Sequence, residues 1–286
     1  MAYLHCRSNS LPSKSHPEIE DVENHLHRLK SSETTSTSAA SVLKKLASLR
    51  DLQESINSLI QLPSVNQIIS HKQGENWTDE ILGRSLELVD LCGFSRDVVT
   101  STKEAVQELE SSIRRNRCET ALKADISSYD SSRKKINRRA NKYIKNLKSF
   151  KQTPSALVLD TDCDLKAIAT MLKETEALGF SVLKSVFILV SGAKGRSNQR
   201  SWSLLSKFTQ VSRVHSEDDQ ESGNEDSLSL KIEKSFKSKD DMINVQNILK
   251  QLKASEMTIQ ELEEELEAFF RSLVRTRVSL LNILSH

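Results

Sequence analysis

The sequence is poor in residues that interrupt regular structure. Its 286 residues include only 7 glycines and 4 prolines, while 28% of them are charged. Few chain breakers beside many Leu, Lys, Glu and Ser residues favour long helices over short strands joined by turns. Aromatic residues make up 5% of the chain, which argues against a large aromatic-lined pocket. The formal net charge of +2 indicates no particular class of partner.

Cysteine pairs and long apolar runs are also missing. The four cysteines, at positions 6, 92, 118 and 163, lie far apart without a CxxC spacing or companion histidines, so we expect reduced thiols and no zinc site. The strongest apolar run, Phe180–Val190, is much shorter than the about 20 residues of a bilayer span. No apolar leader follows Met1. We therefore expect an intracellular protein, cytoplasmic or peripheral at membranes, that is neither secreted nor transmembrane.

Apolar residues recur at spacings of three and four through most of the chain, which is the period of an amphipathic helix. Pro63 ends or bends one of these helices, and Gly93 marks either a break or a close contact between helices. No alternating strand pattern competes with the helical one. The predicted helices begin near Pro17, Ala39, Val65, Ile81, Ser95, Leu122, residue 161, Ser201, residue 229 and residue 256.

The last predicted helix carries two apolar rows, which places it inside a bundle rather than on the rim. One row is a heptad seam with Thr276 as its polar member, and the other lies beside it. The seam is Ile259, Leu262, Leu266, Phe269, Leu273, Leu280 and Ile283, and the second row is Phe270, Val274, Val278 and Leu281.

Together these patterns predict an all-α fold, an elongated multi-helix bundle with long helices packed in coiled-coil style. Residues 1–17 are predicted to be a disordered tail, and residues 18–211 to form the main part of the bundle. The acidic stretch within 212–228 has no apolar residue between Ser216 and Asp226 and is predicted to be a disordered loop. Residues 229–286 are predicted to add C-terminal helices to the same bundle.

No stretch of the sequence predicts catalysis or metal binding. Asp160–Asp164 has spaced acids, but Leu165 and Met171 stand where a calcium loop needs Gly and Glu. His25 and His27 are two residues apart, so on a helix they point in different directions. Ser191–Arg196 lacks the spacing of a phosphate-binding loop. We expect a protein that is not an enzyme and has no cofactor, metal or small-molecule substrate.

The helix beginning near Leu122 concentrates positive charge. Most of its bases fall on the face opposite its apolar stripe, and three interpretations stay open: a solvated outer face, a patch for anionic lipid, and a calmodulin target. Nucleic acid is not expected, because no aromatic residues interleave the bases. The predicted basic surface comprises Arg133, Lys134, Lys135, Arg138, Arg139, Lys142, Lys145 and Lys148.

The N-terminal tail contains a candidate phosphorylation motif. Arg7, Ser10 and Pro12 fit the pattern RSxSxP, which 14-3-3 proteins bind when the second serine is phosphorylated. Phosphate adds nearly two negative charges and several acceptor oxygens, which an arginine cluster can clamp. A chance match in a Ser-rich tail is the alternative. Ser216, which precedes three acidic residues, is a second candidate phosphosite.

Four stretches of the sequence carry a further signal when they are taken together. They are RSNSLPSKSHP (7–17), LPSVNQIISHKQGENWTDEILGRSLELVDLCGFSRD (62–97), YDSSRKKINRR (129–139) and RTRVSLLNILSH (275–286). In order and spacing they resemble one plant-specific family, the proteins related to BYPASS, over nearly the whole chain. The resemblance implies a helical plant protein with a role in root and shoot development. It supplies no catalytic residue, and the acidic stretch matches no pattern of the family.

The favoured hypothesis is therefore a non-enzymatic helical adaptor controlled by phosphorylation of its tail, with protein partners that include a 14-3-3 protein at phosphorylated Ser10. The alternative is a peripheral membrane protein that binds anionic lipids through its basic helix.

Overall fold

The computed structural model describes residues 17–32, 38–71, 76–115, 119–150, 163–191 and 241–285, and in these ranges the chain is helical and has no strand. This confirms the predicted all-α class; its elongated, coiled-coil-like character stays a prediction. The described helices are α1 (Pro17–Ser32), α2 (Ala39–Ile60), α3 (Pro63–Ser70), α4 (Asn76–Arg115), α5 (Glu119–Phe150), α6 (Cys163–Ser191) and α7 (Asp241–Ser285).

Local sequence sets the ends of α2 and α3. The Ser38 hydroxyl accepts a hydrogen bond from the backbone N–H of Ser41 at 3.2 Å, which satisfies one of the free donors of the first turn of α2. Leu62 has an extended backbone, and Pro63 follows it at the first position of α3. Proline suits that position because its missing N–H would have no partner there.

The two longest helices, α4 and α7, pack side by side in opposite directions. Gln107 near the end of α4 bonds Glu256 early in α7, whereas Ser85 near the start of α4 bonds Arg277 late in α7. Helix α2 lies against α7, and α6 contacts both α2 and α4. Helix α1 packs on α2 and α6, while α5 packs on α4 and α6.

The predicted heptad seam of α7 forms the centre of this packing. Leu262, Leu266 and Phe269 are fully buried, and the polar member Thr276 is buried with them. The Thr276 hydroxyl donates to the carbonyl of Ser272 at 3.1 Å, so its burial leaves no free donor. The apolar run in α6, too short to span a bilayer, is packed in the core, where Leu183, Phe187 and other members of the run are buried.

The prediction of a separate helix starting near Ser95 is wrong, because α4 runs without interruption from Asn76 to Arg115. Gly93 lies inside it and makes a close helix contact instead of a break. A Cβ atom at Gly93 would lie 3.9 Å from the ring of Phe270 on α7. Without a proline nearby, one glycine lowers helix stability without ending the helix.

The predicted boundary between helices near 252–256 is also wrong, since α7 is continuous from Asp241 to Ser285. Lys253 and Glu256 form an ion pair of 2.6 Å one turn apart at this point. Such pairs support a helix across a stretch that has few apolar residues.

The second apolar row of α7 is not buried as predicted. Phe270 packs against the core, but Val274, Val278 and Leu281 are exposed. Helical periodicity shows that a face is apolar, but it does not show whether a neighbouring helix covers it. The predicted helix 201–211, the acidic stretch of 212–228 and the tail 1–17 up to His16 lie outside the described residues.

We predict that Gly93→Ala stabilises the protein by about 0.5–1 kcal/mol, because alanine restricts the unfolded chain and favours helix. The new methyl group would meet Phe270 at an ordinary contact distance. Urea denaturation measures the change. Gly83→Ala is the matched control for the effect of the Gly→Ala change on helix stability alone. It lies in the same helix, and a Cβ at Gly83 meets nothing within 4 Å. A loss of stability for Gly93→Ala alone would contradict a continuous α4.

Candidate functional site: the basic face of helix α5

Helix α5 is fixed to the bundle by a narrow apolar stripe. As predicted from the sequence, the stripe residues are spaced by three and four and lie on one side of the helix, against α4 and α6. The buried members are Leu122, Ile126, Tyr129, Ile136 and Ala140.

Two specific contacts set the position of the second half of α5. The ring of Tyr143 stacks on Phe94 of α4, with centroids 4.1 Å apart and an angle of 11° between the planes. The side-chain amide of Asn137 donates to the carbonyl of Ser191, the last residue of α6, at 3.0 Å. These contacts hold α5 against both of its neighbours and so fix which face points outward.

The outward face carries six exposed bases over about three turns. All six were predicted as part of a basic surface, and the structure brings them together on the side of α5 away from α4 and α6. They are Lys134, Lys135, Arg138, Arg139, Lys142 and Lys145. The side chain of Lys148, also predicted here, lies outside the described residues.

Most of these bases have no acidic partner in the described part of the chain. Lys134, Lys135, Arg138, Lys142 and Lys145 form no ion pair there, and between Ser131 and Phe150 the sequence contains no acid. Arg139 lies 5.9 Å from the ring centroid of Phe94, at the edge of cation–π range. Within the described ranges, the positive charge of this face is therefore not compensated by acids.

Arg133 does not belong to this surface, which corrects the prediction. It occupies a position of the apolar stripe, and only 8% of it is exposed. Its long aliphatic stem can pack there like an apolar side chain, which explains how the stripe tolerates it. Its Nη1 has no hydrogen-bond partner among the described residues. Burial raises the pKa of Tyr129 one turn away, and the charge of Arg133 partly offsets that rise.

In contrast to the bases of α5, the charged side chains between α4 and α7 form ion pairs. Lys103 lies 2.6 Å from a carboxylate oxygen of Glu263, and Thr100 donates to the other oxygen at 2.7 Å. Burial alone would raise the pKa of Glu263, but these hydrogen bonds outweigh it and lower the pKa. Arg96 pairs with Glu267 and also lies over the Phe270 ring at 4.7 Å. These residues hold the register of the two helices.

Sequence reasoning missed one buried acid, Glu176 of α6. Only 7% of it is exposed, and its Oε2 has no hydrogen-bond partner within the described part of the chain. Burial raises the pKa of Glu176 to about 8; Arg84 opposes the rise, and Glu80 adds to it. The sequence gives no signal for this, because the residue resembles any acid on a solvated helix.

The cavities near these groups are small or open. The space beside Glu176 and Thr276 is about 20 Å³, which is room for one water molecule. A groove of about 870 Å³ between α4 and α7, bordered by Arg139, opens to solvent and is lined mainly by charged side chains. Among the described residues there is no cluster of His, Cys, Asp and Glu that could hold a metal ion.

The buried thiol of Cys92 has no sign of reactivity. Burial raises its pKa to about 12, and its Sγ–H donates to the Leu266 carbonyl at 3.7 Å. In the described ranges no helix is both long and apolar enough to cross a bilayer. The phosphorylation motif at Arg7, Ser10 and Pro12 and the second candidate Ser216 lie outside the described residues.

In the described part of the chain, these features define a class of protein: a helical bundle with an apolar core, an ion-paired α4–α7 contact and a basic helix whose outer bases have no acidic partner there. Comparison with families of known proteins makes the assignment specific. The model of the family Protein BPS1 matches residues 45–283, and the chain belongs to this family. The resemblance to BYPASS-related proteins is thereby confirmed. Neither the curated proteins nor the solved structures gave a match to the chain.

We predict that Glu176→Gln removes a pH-dependent loss of stability. Because the folded-state pKa of Glu176 is raised to about 8, its favourable contribution is complete below about pH 4.5 and is lost as pH rises through about 8. Glutamine bears no charge to bury, so the variant should gain over the wild type by on the order of 2 kcal/mol by pH 9 and differ little at pH 5.

Urea denaturation at several pH values measures this difference in the free energy of unfolding. Glu108→Gln, on the exposed face of α4, is the control and should follow the wild type. An equal effect of Glu176→Gln at pH 5 and pH 9 would show that the carboxyl does not titrate in this range.

Proposed function

We propose that this member of the Protein BPS1 family is a non-enzymatic helical adaptor that is held at an anionic membrane surface by the basic face of α5. The observation that carries the proposal is the row of exposed bases from Lys134 to Lys145 on the outer side of that helix, most of which form no ion pair with the residues that the structure describes. Each Lys or Arg near an anionic bilayer surface contributes about 1 kcal/mol of attraction.

The position of the bases favours a lipid surface over a calmodulin-like partner. A protein that wraps the helix would have to withdraw Ile126, Ile136 and Ala140 from the core, at the cost of their buried apolar area. A membrane needs only the outer face, and α5 can stay packed on α4 and α6. The contact is electrostatic and should therefore weaken as salt screens it.

The non-enzymatic part of the proposal is supported by the shape of the described part of the chain. The internal space beside Glu176 holds no more than a water molecule, so its perturbed carboxyl cannot meet a substrate. The charged groups of the α4–α7 groove are largely paired across the two helices: Arg96 pairs with Glu267, and Glu263 binds Lys103 and Thr100. A role in root and shoot development follows from the family resemblance and belongs to the same proposal.

We predict that replacing Lys134, Lys135, Arg138 and Lys142 together with glutamine weakens sedimentation with liposomes that contain phosphoinositide. At about 1 kcal/mol for each base, the loss should reach two to three orders of magnitude in affinity at low salt. Wild-type binding should itself fall as salt rises.

The matched control replaces four exposed bases on other helices, Lys44, Arg115, Lys166 and Lys250, with glutamine. It has the same net charge but keeps the basic face of α5. Equal binding by the two variants would show that only net charge matters. No sedimentation of the wild type at low salt would end the membrane proposal.

A second function is proposed for the tail on the strength of the motif Arg7-Ser8-Asn9-Ser10-Leu11-Pro12. Phosphorylation of Ser10 would create an anionic site for a 14-3-3 protein, and Arg7 three residues earlier suits a basophilic kinase. Binding of that protein would connect the adaptor to phosphorylation signals.

We predict that Ser10→Ala abolishes co-purification of a 14-3-3 protein with the chain from plant tissue. Ser15→Ala, in the same tail but outside the motif, should leave it unchanged. Identical partner sets for the wild type and Ser10→Ala would mean that the motif is a chance match.

A further inference from the structure

Four of the exposed large apolar side chains lie at one end of the α4–α7 pair. They are Leu86 on α4, 45% exposed, with Val274, Val278 and Leu281 on α7, which are 37%, 49% and 41% exposed. Partly buried Leu82, Val89 and Phe270 connect them to the core. We call the four exposed residues the apolar patch. Single exposed apolar residues are ordinary, but a contiguous group marks an interaction surface.

The register of the two helices shows that the patch is contiguous. Gly93 lies level with Phe270, and Ser85 lies level with Arg277, which donates to its hydroxyl at 2.7 Å. Leu86 is one residue beyond Ser85, and Val278 is one residue beyond Arg277. Leu86 and Val278 are therefore within about 3 Å of the same level along the helices, given a rise of about 1.5 Å per residue.

The two edges of the patch carry opposite charges. Exposed Asp90 lies on α4, and exposed Arg275 lies on α7. Neither forms an ion pair with any residue in the described part of the chain. Counting from Gly93 and Phe270, these two residues also stand at nearly one level, about 3 Å apart along the helix direction.

We propose that the apolar patch is the interface of a homodimer with its two-fold axis parallel to α4 and α7. Rotation about this axis leaves the position of every residue along the helix direction unchanged. It exchanges the α4 edge of the patch with the α7 edge. It places α4 of one copy opposite α7 of the other, so Asp90 meets Arg275 of the second copy twice. The same rotation brings Leu86 against Val278. Both the apolar surface and its charged edges are then self-complementary, as a two-fold interface requires.

The direction of the two-fold axis is the reason to propose that a second copy of the chain covers the apolar patch. An axis across the helices would place α4 opposite α4 and α7 opposite α7, so Asp90 of one copy would not meet Arg275 of the other and the two ion pairs would not form. The parallel axis adds two helices to two and forms a four-helix arrangement in which facing neighbours run in opposite directions. That is an ordinary way for helix pairs to bury an apolar face.

Sedimentation velocity of the full chain from about 1 to 100 µM tests the proposal. We expect a species of twice the 32.2 kDa chain mass, and Val278→Glu should leave only the monomer. Asp90→Arg and Arg275→Asp should each weaken the dimer by about tenfold or more, and the two together should restore most of its affinity.

Met257→Glu is the control, because Met257 is an exposed apolar residue of α7 outside the patch and its replacement should leave the dimer intact. Circular dichroism of each variant shows that the helices are retained. A chain mass of 32.2 kDa at every concentration would overturn the proposal, and so would a dimer that Val278→Glu does not affect. Weakening by both single charge changes without recovery in the double variant would overturn the stated axis.

Discussion

The burial of one side of α7 is the contact on which the rest of the molecule depends. Leu262, Leu266 and Phe269 are fully buried, and α7 packs along both α4 and α2. Full burial of one such side chain contributes about 1.5–3 kcal/mol, so a seam of this length exceeds any single ion pair on the surface. Because α7 comes last in the chain, this core forms only from residues far apart in sequence, which makes folding slower than local helix pairing would.

The number of neighbours of each helix then explains its composition. Helix α6 contacts α1, α2, α3, α4 and α5, and it is apolar enough to bury Leu183, Val186 and Phe187 completely. Among the described helices, α5 packs mainly on α4 and α6, so much of its circumference is turned away from the core. Bases on that side take no part in core packing, which explains how so many can be accommodated on one helix.

The periodicity of the sequence correctly predicted which apolar residues share one face of a helix. It did not predict which faces a neighbouring helix covers. The seam of α7 and the stripe of α5 are properties of single helices, and both are found as predicted. The exposure of Val278 and the contact of Gly93 depend on where α4 lies beside α7, which spacing within one helix does not contain. The burial of Glu176 likewise comes from helices that surround α6. Arg133 was predicted to lie on the basic surface because of its charge, and it is buried instead because it occupies a position of the apolar stripe.

The charged residues divide by the same geometry into two groups with different roles. Lys103 and Glu263 lie 2.6 Å apart between α4 and α7, where partial burial reduces the screening of their attraction by salt, so they fix the register of the helices. Lys134 and Lys142 are exposed, and an isolated base of this kind adds little to the stability of the fold. Their attraction to an anionic surface is additive and sensitive to salt. Removing bases from α5 should therefore weaken binding to an anionic surface without unfolding the bundle. Because binding and folding can be changed independently, the role of the basic face can be tested directly.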